Sequence, residues 1–133
     1  METLDRIQPY LLSVLRIMAG LLFMQHGLSK LFGFPAGAGF PAFLSLPWFE
    51  GCIEMIGGGL IVIGLFTRSA AFITSGEMAI GYFMVHAPKS FFPYVNGGNL
   101  AVLYCFVFLY LVVSGPGPIS LDALLSKRKE SVA

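Results

Sequence analysis

Four long apolar segments run along the chain, and proline, glycine or polar residues bound each of them. They cover residues 9–27, 48–66, 69–87 and 99–114. Each segment has about 16 to 20 residues, which as an α-helix can cross a hydrocarbon core of about 30 Å. None alternates with the period of a strand, and an open sheet cannot face lipid. The pattern predicts an all-α fold, an integral membrane four-helix bundle with antiparallel transmembrane helices.

The segments between these helices indicate a single membrane domain and an orientation. Residues 28–47 and 88–98 are long loops with aromatic residues, Thr67-Arg68 is a tight turn, and residues 115–133 form a tail. Four spans place both termini and the tight turn on one side. That side carries Arg6, Arg68, Lys127, Arg128 and Lys129, against Lys30 and Lys89 on the other. By the positive-inside rule, residues 1–133 form one domain with cytoplasmic N- and C-termini and a cytoplasmic tail.

Composition supports a membrane protein and excludes several other classes. The chain has 133 residues, of which 56% are hydrophobic and 11% are charged, and its mean hydropathy is +0.81. Soluble domains carry about 25% charged residues, which gives each surface helix a polar face. A net charge of +1 provides no basic patch for a nucleic acid. We therefore expect the lipid bilayer as a partner and no nucleic acid.

Three ionisable residues lie well inside the predicted spans, where a charge costs about 2.5 to 3.5 kcal/mol. They are Arg16, Glu54 and Glu77, each on a different helix. The helical rise per residue places all three near one depth. We therefore predict that they face the interior as a buried polar cluster, with Tyr104 near the same depth and able to hydrogen-bond to it.

Two interpretations of this cluster stay open. A salt-bridge network would fix the register of the helices without any chemistry. Alternatively, one arginine cannot neutralise two carboxylates, so the surplus carboxylate would bind a proton and the cluster would handle protons or contact a quinone. In either case the small residues Gly57–Gly59, Gly76 and Gly81 would allow close helix approach and bring the carboxylates towards Arg16.

A second set of polar residues lies at the outward end of the helices. This candidate ligand site consists of His26, Lys30, Glu50, His86 and Asn96. His26 and Lys30 are one turn apart as the first helix ends. The alternatives are contacts with lipid headgroups, a helix-capping role for Asn96, or a site for an anionic or quinone headgroup.

The sequence contains no recognisable catalytic motif, no metal-ligand spacing and no cysteine pair typical of thiol chemistry. It has no phosphate loop, nucleophile elbow or paired-acid arrangement, so no catalytic residue is identified. The spacings HxxxK after His26 and HxxK after His86 are not those of metal ligands, and no metal site is expected. Cys52 and Cys105 lie in apolar runs, where isolated thiols pack rather than pair.

Several short motifs follow one another along the predicted helices and turns. The first half carries Arg16, Gly20-Leu21-Leu22-Phe23, His26-Gly27-x-x-Lys30, Glu54-x-x-Gly57-Gly58 and Gly64-Leu65-Phe66-Thr67-Arg68. The second half carries Tyr82-Phe83, His86-x-Pro88, Phe91-Phe92-Pro93, Asn96-Gly97-Gly98 and Gly115-Pro116-Gly117-Pro118. In this order they resemble the DoxX family of membrane proteins over nearly the whole chain. Asn99 departs from the family, which commonly has a Glu there, so no carboxylate role is expected at that position.

The resemblance implies a four-helix protein of the bacterial inner membrane. The related DoxD proteins are linked to a thiosulfate:quinone oxidoreductase, and DoxX members are linked to membrane complexes that handle thiol and superoxide stress. We therefore expect a membrane subunit of a quinone-linked redox or oxidative-stress system. The chain would hold no cofactor of its own, a quinone would be its ligand, and a soluble redox enzyme would be its partner.

Two other functions remain as alternatives. A non-catalytic scaffold would dock a soluble enzyme at the membrane. A small-solute transporter would need an oligomer, such as a homodimer, because a chain of this length provides one bundle and no second repeat to move against it. Whether the chain is itself an enzyme stays open.

Overall fold

Six α-helices and one π-helical turn make up the fold in the computed structural model, which describes residues 1–132. The helices are α1 (Glu2–Phe32), α2 (Leu46–Ile63), α3 (Thr67–Gly81), α4 (Pro93–Asn96), α5 (Asn99–Ser114) and α6 (Leu121–Val132), and the π-helix is Tyr82–His86. No strand occurs in this part of the chain, which confirms the all-α prediction. Two helices, α1 and α2, are long and apolar enough to cross a membrane, and α5 is a shorter apolar helix.

The first helix is longer at both ends than the predicted segment 9–27. It has 31 residues and begins at Glu2, so Pro9 lies inside it rather than in its opening turn. The apolar pattern indicates where side chains can contact lipid, whereas the backbone helix also includes residues 2–8, most of which are polar. At 1.5 Å per residue α1 is about 46 Å long, more than a hydrocarbon core of about 30 Å.

The turn between α2 and α3 lies at residues 64–66 instead of the predicted Thr67-Arg68. Gly64 ends α2 in the left-handed conformation, with a φ of 69°, and Leu65 N–H donates to Leu60 O at 3.0 Å. A Cβ on Gly64 would lie 2.9 Å from Nη1 of Arg16. Only glycine suits both the backbone angle and this contact, so the helix ends three residues earlier than its apolar pattern suggests.

The predicted third span, residues 69–87, is divided into two helical types. An α-helix continues to Gly81, and a π-helix follows, closed by a hydrogen bond of 2.9 Å from Ala87 N–H to Tyr82 O. The predicted loop 88–98 contains the short helix α4. The predicted tail 115–133 contains α6, and Ala133 lies outside the described residues.

Asp122 fastens the start of α6 to the turn between α2 and α3. Its carboxylate accepts hydrogen bonds from the backbone N–H groups of Phe66, at 2.9 Å, and Thr67, at 3.0 Å. Its own N–H donates to Gly64 O at 2.8 Å. The first N–H groups of a helix have no partner within that helix, so Asp122 caps α3 from a distant part of the chain.

The helices pack in pairs through small residues. A Cβ on Gly27 of α1 would lie 2.7 Å from Gly51 O and would also press on the backbone N of Met55, so α1 and α2 touch backbone to backbone there. Ser75 of α3 donates to Cys105 O of α5 at 2.8 Å. A Cβ added to Gly76 or Gly81 would meet no atom within 4 Å, so the predicted role of these two glycines in close packing is wrong.

A small core joins these pairs. Its buried residues are Ala19, Phe23, Ile61, Ala70, Ala71, Tyr104, Phe108 and Leu111. The rings of Phe23 and Phe108 meet edge to face with centroids 4.9 Å apart. Outside this core, large apolar side chains such as Ile56, Phe72, Ile73, Phe106 and Val113 are more than half exposed. An apolar surface of this extent is typical of a lipid-facing helix layer.

Both cysteines are free thiols, with Cys52 on α2 and Cys105 on α5. Cys105 Sγ lies 3.6 Å from Ser75 Oγ, whereas Cys52 lines an apolar groove between α2 and α3. Each thiol thus packs against other residues and the two form no disulfide, in line with the expectation that they pack rather than pair.

Replacing Gly27 by alanine tests the contact between α1 and α2. We expect Gly27→Ala to lower the free energy of unfolding by about 1–3 kcal/mol, because the added methyl group must displace helix backbone. The matched control is Gly76→Ala, which enters open space and gains up to about 1 kcal/mol of helix propensity. Denaturant titration in detergent micelles, followed by circular dichroism, measures both; equal effects would contradict this packing.

Replacing Asp122 by asparagine tests the cap on α3. Burial alone would raise the pKa of Asp122, but hydrogen bonds from Thr67 and Phe66 and the nearby Arg16 guanidinium outweigh it and hold the pKa below its ordinary value. The charged form is therefore favoured by folding, and its contribution is present above the ordinary pKa and lost as the pH falls through the folded-state pKa.

We expect Asp122→Asn to lose about 1 kcal/mol of stability at neutral pH. The difference in stability between the variant and the parent protein should disappear as the solution is acidified below the ordinary pKa of an aspartate. Thermal unfolding in detergent across this pH range provides the measurement, and Asp5→Asn, an exposed carboxylate in the first turn of α1, is the control. A stability difference that stays the same in acid would show that the charge of Asp122 does not stabilise the turn between α2 and α3.

Candidate functional site

A cavity of about 460 Å³ lies among α1, α2, α3, the π-helix and α5. Most of its wall is apolar or aromatic, and six ionisable side chains other than tyrosine enter it. The lining residues are Phe23, His26, Lys30, Glu50, Glu54, Glu77, Met78, Gly81, Tyr82, Val85, His86, Gly97, Leu100, Ala101 and Tyr104. The cavity thus combines residues of the predicted buried cluster with residues of the predicted outward site.

An ionic bridge between α1 and α2 forms one wall of the cavity. The Lys30 ammonium lies 3.1 Å from Glu50 Oε2 and 2.9 Å from Glu54 Oε1. Glu50 and Glu54 are one turn apart on α2, so both can face the same cation. Glu54 is only 3% exposed, and its second oxygen, Oε2, is buried without a hydrogen-bond partner among residues 1–132. Glu54 of the predicted buried cluster and Lys30 and Glu50 of the predicted outward site therefore belong to one site.

Glu77 enters the cavity from α3 and has no partner in the described part of the chain. Both of its carboxylate oxygens are buried there without a hydrogen bond. Burying an unpaired carboxylate is costly, whereas a protonated carboxyl or one bound to a ligand is tolerated. Glu77 is therefore the group in this cavity that is free to exchange a proton or to bind an incoming molecule.

The two histidines are oriented in the same way. Nδ1 of His26 lies 2.8 Å from Leu22 O, and Nδ1 of His86 lies 3.0 Å from Asn96 O. A carbonyl oxygen can only accept, so each Nδ1 carries the hydrogen, and each neutral imidazole keeps its lone pair on Nε2. Both imidazoles can therefore accept a proton at Nε2 while they stay tied to the backbone.

Tyr104 lines the cavity with Glu54 and Glu77, but among residues 1–132 its hydroxyl forms no hydrogen bond, so the predicted bond to the cluster stays a prediction. Tyr104 is buried, its ring packs at 5.3 Å from that of Phe23, and the centroid of His26 lies 5.9 Å away. The aromatic rings thus close the apolar side of the cavity.

Asn96 positions the cavity residues His86 and Tyr82 and is not itself part of the cavity wall. Its amide nitrogen donates to Tyr82 Oη at 3.0 Å and to Ser90 O at 2.9 Å, and its Oδ1 accepts from Gly98 N–H at 2.8 Å. These bonds occupy its side chain, while its backbone carbonyl holds His86. The prediction of Asn96 as a ligand is corrected by this geometry, and the helix cap before Asn99 is Gly98.

Arg16 lies far from the two carboxylates, so its predicted place in the cluster is wrong. Its guanidinium donates to the carbonyl oxygens of Pro116 and Ile119, the latter at 2.6 Å, and approaches Val62 O at 3.4 Å. Val62 is eight residues after Glu54, about 12 Å along α2. A guanidinium has five donors, and the loop between α5 and α6 folds back to supply carbonyl acceptors that no helix uses.

Tyr82 is a cavity residue that the sequence pattern did not single out. Its hydroxyl accepts from Asn96, which leaves the hydroxyl hydrogen to donate, and its ring stacks on His86 with centroids 6.2 Å apart. Both residues lie on the π-helix, a local widening that often occurs at functional sites. The i, i+4 spacing of Tyr82 and His86 was a usable signal, but the widened turn was not visible in the apolar pattern.

The charges of the cavity favour some ligands over others. Glu50 and Glu54 face the single ammonium of Lys30, so the cavity has a surplus negative charge even when the Glu77 carboxyl is protonated, and with neutral imidazoles it repels an anion and favours a neutral acceptor. Among residues 1–132 no group of three or more His, Cys, Asp or Glu side chains is placed to hold a metal ion. The electrostatics therefore disfavour the anionic headgroup that the sequence left open.

Comparisons with known proteins agree with the motifs. The DoxX family profile matches residues 11–87. An uncharacterized protein of Haemophilus influenzae is 42% identical, covering 96% of this chain and 100% of its own length. Inner membrane protein YqjF of Escherichia coli is 32% identical over 86% of this chain and 92% of its own length. "Putative oxidoreductase CatD" of Bacillus subtilis is 29% identical over 89% of both. No solved structure is significantly similar to the chain.

Removing the cation of the ionic bridge tests its contribution. We expect Lys30→Met to lower the free energy of unfolding by about 1–3 kcal/mol, since Glu54 stays buried without its counter-ion while Lys30 is partly solvated. The double variant Lys30→Met/Glu54→Gln should recover part of this loss, because the buried carboxylate is then replaced by a neutral amide, while Glu50 is exposed enough to be solvated. Denaturant titration of the single and double variants gives the coupling, with Lys89→Met as the exposed control. Additive effects would refute the bridge.

Proposed function

Since the chain belongs to the DoxX family of membrane proteins, we propose that it is a membrane subunit of a quinone-linked redox system. In this proposal the cavity between α1, α2, α3 and α5 binds a quinone headgroup. The name of the Bacillus subtilis relative, "Putative oxidoreductase CatD", supports a redox role, and the cavity supplies a chemical reason for it.

The proposed arrangement in the membrane is an antiparallel bundle of four spans: α1, α2, α3 with its π-helix, and α5. Both termini face the cytoplasm of a bacterial inner membrane. The supporting contacts join the first half of α1, the α2–α3 turn and the start of α6 at one end, through Arg16 and Asp122. The excess of basic residues at that end supports its cytoplasmic placement.

The observation that carries the proposal is the unpartnered carboxyl of Glu77 in a cavity with apolar walls. A quinone is a flat, neutral ring with two carbonyl acceptors, and it takes up two electrons and two protons to become a quinol. Lys30 and the hydroxyls of Tyr82 and Tyr104 can donate to a carbonyl oxygen. Glu77 can deliver a proton directly.

The residues around the cavity divide into those that move protons and those that position the ring. Nε2 of His26 and His86 can relay the second proton, because their Nδ1 atoms stay fixed on backbone carbonyls. Glu50 and Glu54 hold Lys30 in place. The two electrons would come from a reduced soluble redox enzyme docked to the chain, which is oxidised in the same exchange.

A direct test is to look for the ligand. The protein is purified in mild detergent and extracted with organic solvent, and the extract is examined for quinone by its ultraviolet spectrum before and after reduction. We expect quinone at close to one molecule per chain. If none is found and a short-chain quinone shows no saturable binding, the quinone proposal fails, and a soluble enzyme that co-purifies stably would favour the scaffold function.

The role of Glu77 is tested by infrared difference spectroscopy of the quinone-loaded protein reduced at an electrode. We expect a carboxyl C=O band that shifts in D₂O and disappears in Glu77→Gln, because the amide cannot exchange a proton. Glu77→Leu should also weaken binding of a short-chain quinone about fivefold to tenfold, the effect of one lost hydrogen bond. Glu2→Gln is the control. A band that survives in Glu77→Gln would assign the proton to another group.

A further inference from the structure

We infer that α6 lies on the membrane surface, with its leucines in the interface and its basic residues bound to the phosphates of anionic phospholipids. This inference is independent of the quinone proposal, since α6 is at the end of the molecule opposite the cavity. It gives a role to Lys127, Arg128 and Lys129, which the cavity does not use.

The sequence of α6 forms an apolar stripe with basic edges. Leu121, Leu124, Leu125 and Val132 recur at helical spacing, and all are exposed, Leu124 to 63% and Val132 to 82%. At about 100° per residue these positions share one face, while Ser126 and Glu130 fall on the opposite face. No residue of α6 is buried. The stripe is thus an apolar surface that the described chain does not cover.

The N-terminal end of α6 is held by hydrogen bonds at the edge of the apolar surface formed by the spanning helices. Ser120 caps the helix by accepting from Ala123 N–H at 3.1 Å, and Asp122 ties it to the α2–α3 turn. Leu121 and Leu124 line one groove together with Ile17 of α1 and Ile63 of α2. The stripe therefore continues the apolar surface of the spanning helices and meets the same lipid.

The charges of α6 identify the kind of surface that it meets. Lys127 and Lys129 lie on either side of the stripe, and Arg128 lies within it, where its long side chain can extend to the headgroups. None of the three forms an ion pair within residues 1–132. Basic residues beside an apolar helix face favour phosphates of an anionic leaflet. Continuity with the lipid-facing helices favours a bilayer over a soluble protein.

The experiment places a nitroxide label on each face of α6 in the full chain. Labels are attached at Leu125→Cys and at Glu130→Cys, with Cys52 and Cys105 replaced by alanine, and the protein is reconstituted in phosphatidylglycerol or phosphatidylcholine vesicles. Accessibility to oxygen, which concentrates in lipid, and to a water-soluble nickel chelate is measured by power saturation. We expect oxygen to dominate at position 125 and nickel at position 130 in the anionic vesicles.

The dependence on charge completes the test. The double variant Lys127→Gln/Lys129→Gln should raise the nickel accessibility of position 125 in anionic vesicles. We expect the partition of α6 from water into the membrane interface to weaken about fivefold for each charge removed. Lys89→Gln, remote from α6, should leave it unchanged. A second label pair on opposite faces, Leu124→Cys and Ser126→Cys, guards against one position that perturbs folding.

Three results would overturn the inference. Nickel access at position 125 equal to that at position 130 in anionic vesicles would place α6 in water. Equal immersion in phosphatidylcholine and phosphatidylglycerol would remove the role of the anionic headgroup. Shielding of position 125 only after a soluble protein is added would make α6 a protein-docking helix instead. None of these results bears on whether the cavity binds quinone.

Discussion

Polar groups buried in or at the ends of a lipid-facing helix layer need partners from the chain itself, and this constraint explains the long-range polar contacts in the structure. Lys30 lies between two carboxylates, Arg16 lies against loop carbonyls, and Asp122 accepts from the start of α3. Each contact joins parts of the chain that are distant in sequence. The charged residues therefore determine how the helices and loops are held, although the helices themselves follow from apolar composition.

Glu77 differs from these residues, because its buried carboxyl has no partner among residues 1–132 and lines the cavity. The same cavity also contains two histidines with free Nε2 atoms. A structural residue in this setting would be replaced at little cost by an apolar one. A carboxyl left unpaired beside a cavity is instead suited to proton exchange with a bound molecule.

The two ends of the molecule differ in how closely their helices and loops are joined. At one end the loops and the π-helix leave space, and Asn96 holds His86 and Tyr82 beside it. At the other end Arg16 and Asp122 close the helix ends with hydrogen bonds, and Asp122 ties the start of α6 to the turn at Gly64.

The amino-acid sequence by itself determined the helical class, the membrane environment, the family and nearly all of the polar cavity residues, because apolar runs and rare charges are local properties. It did not determine which charges meet. The depth of each residue, counted along single helices, predicted that Arg16 lies beside Glu54 and Glu77 and that Lys30 does not. This count ignored the length of the Lys30 side chain, which reaches Glu54, and the loop before α6, which folds back onto Arg16. The π-helix and the cap by Asp122 were equally hidden. Only the tertiary structure, which brings side chains from different helices within hydrogen-bond distance, decided that Lys30 holds Glu54 and that Glu77 has no partner among residues 1–132.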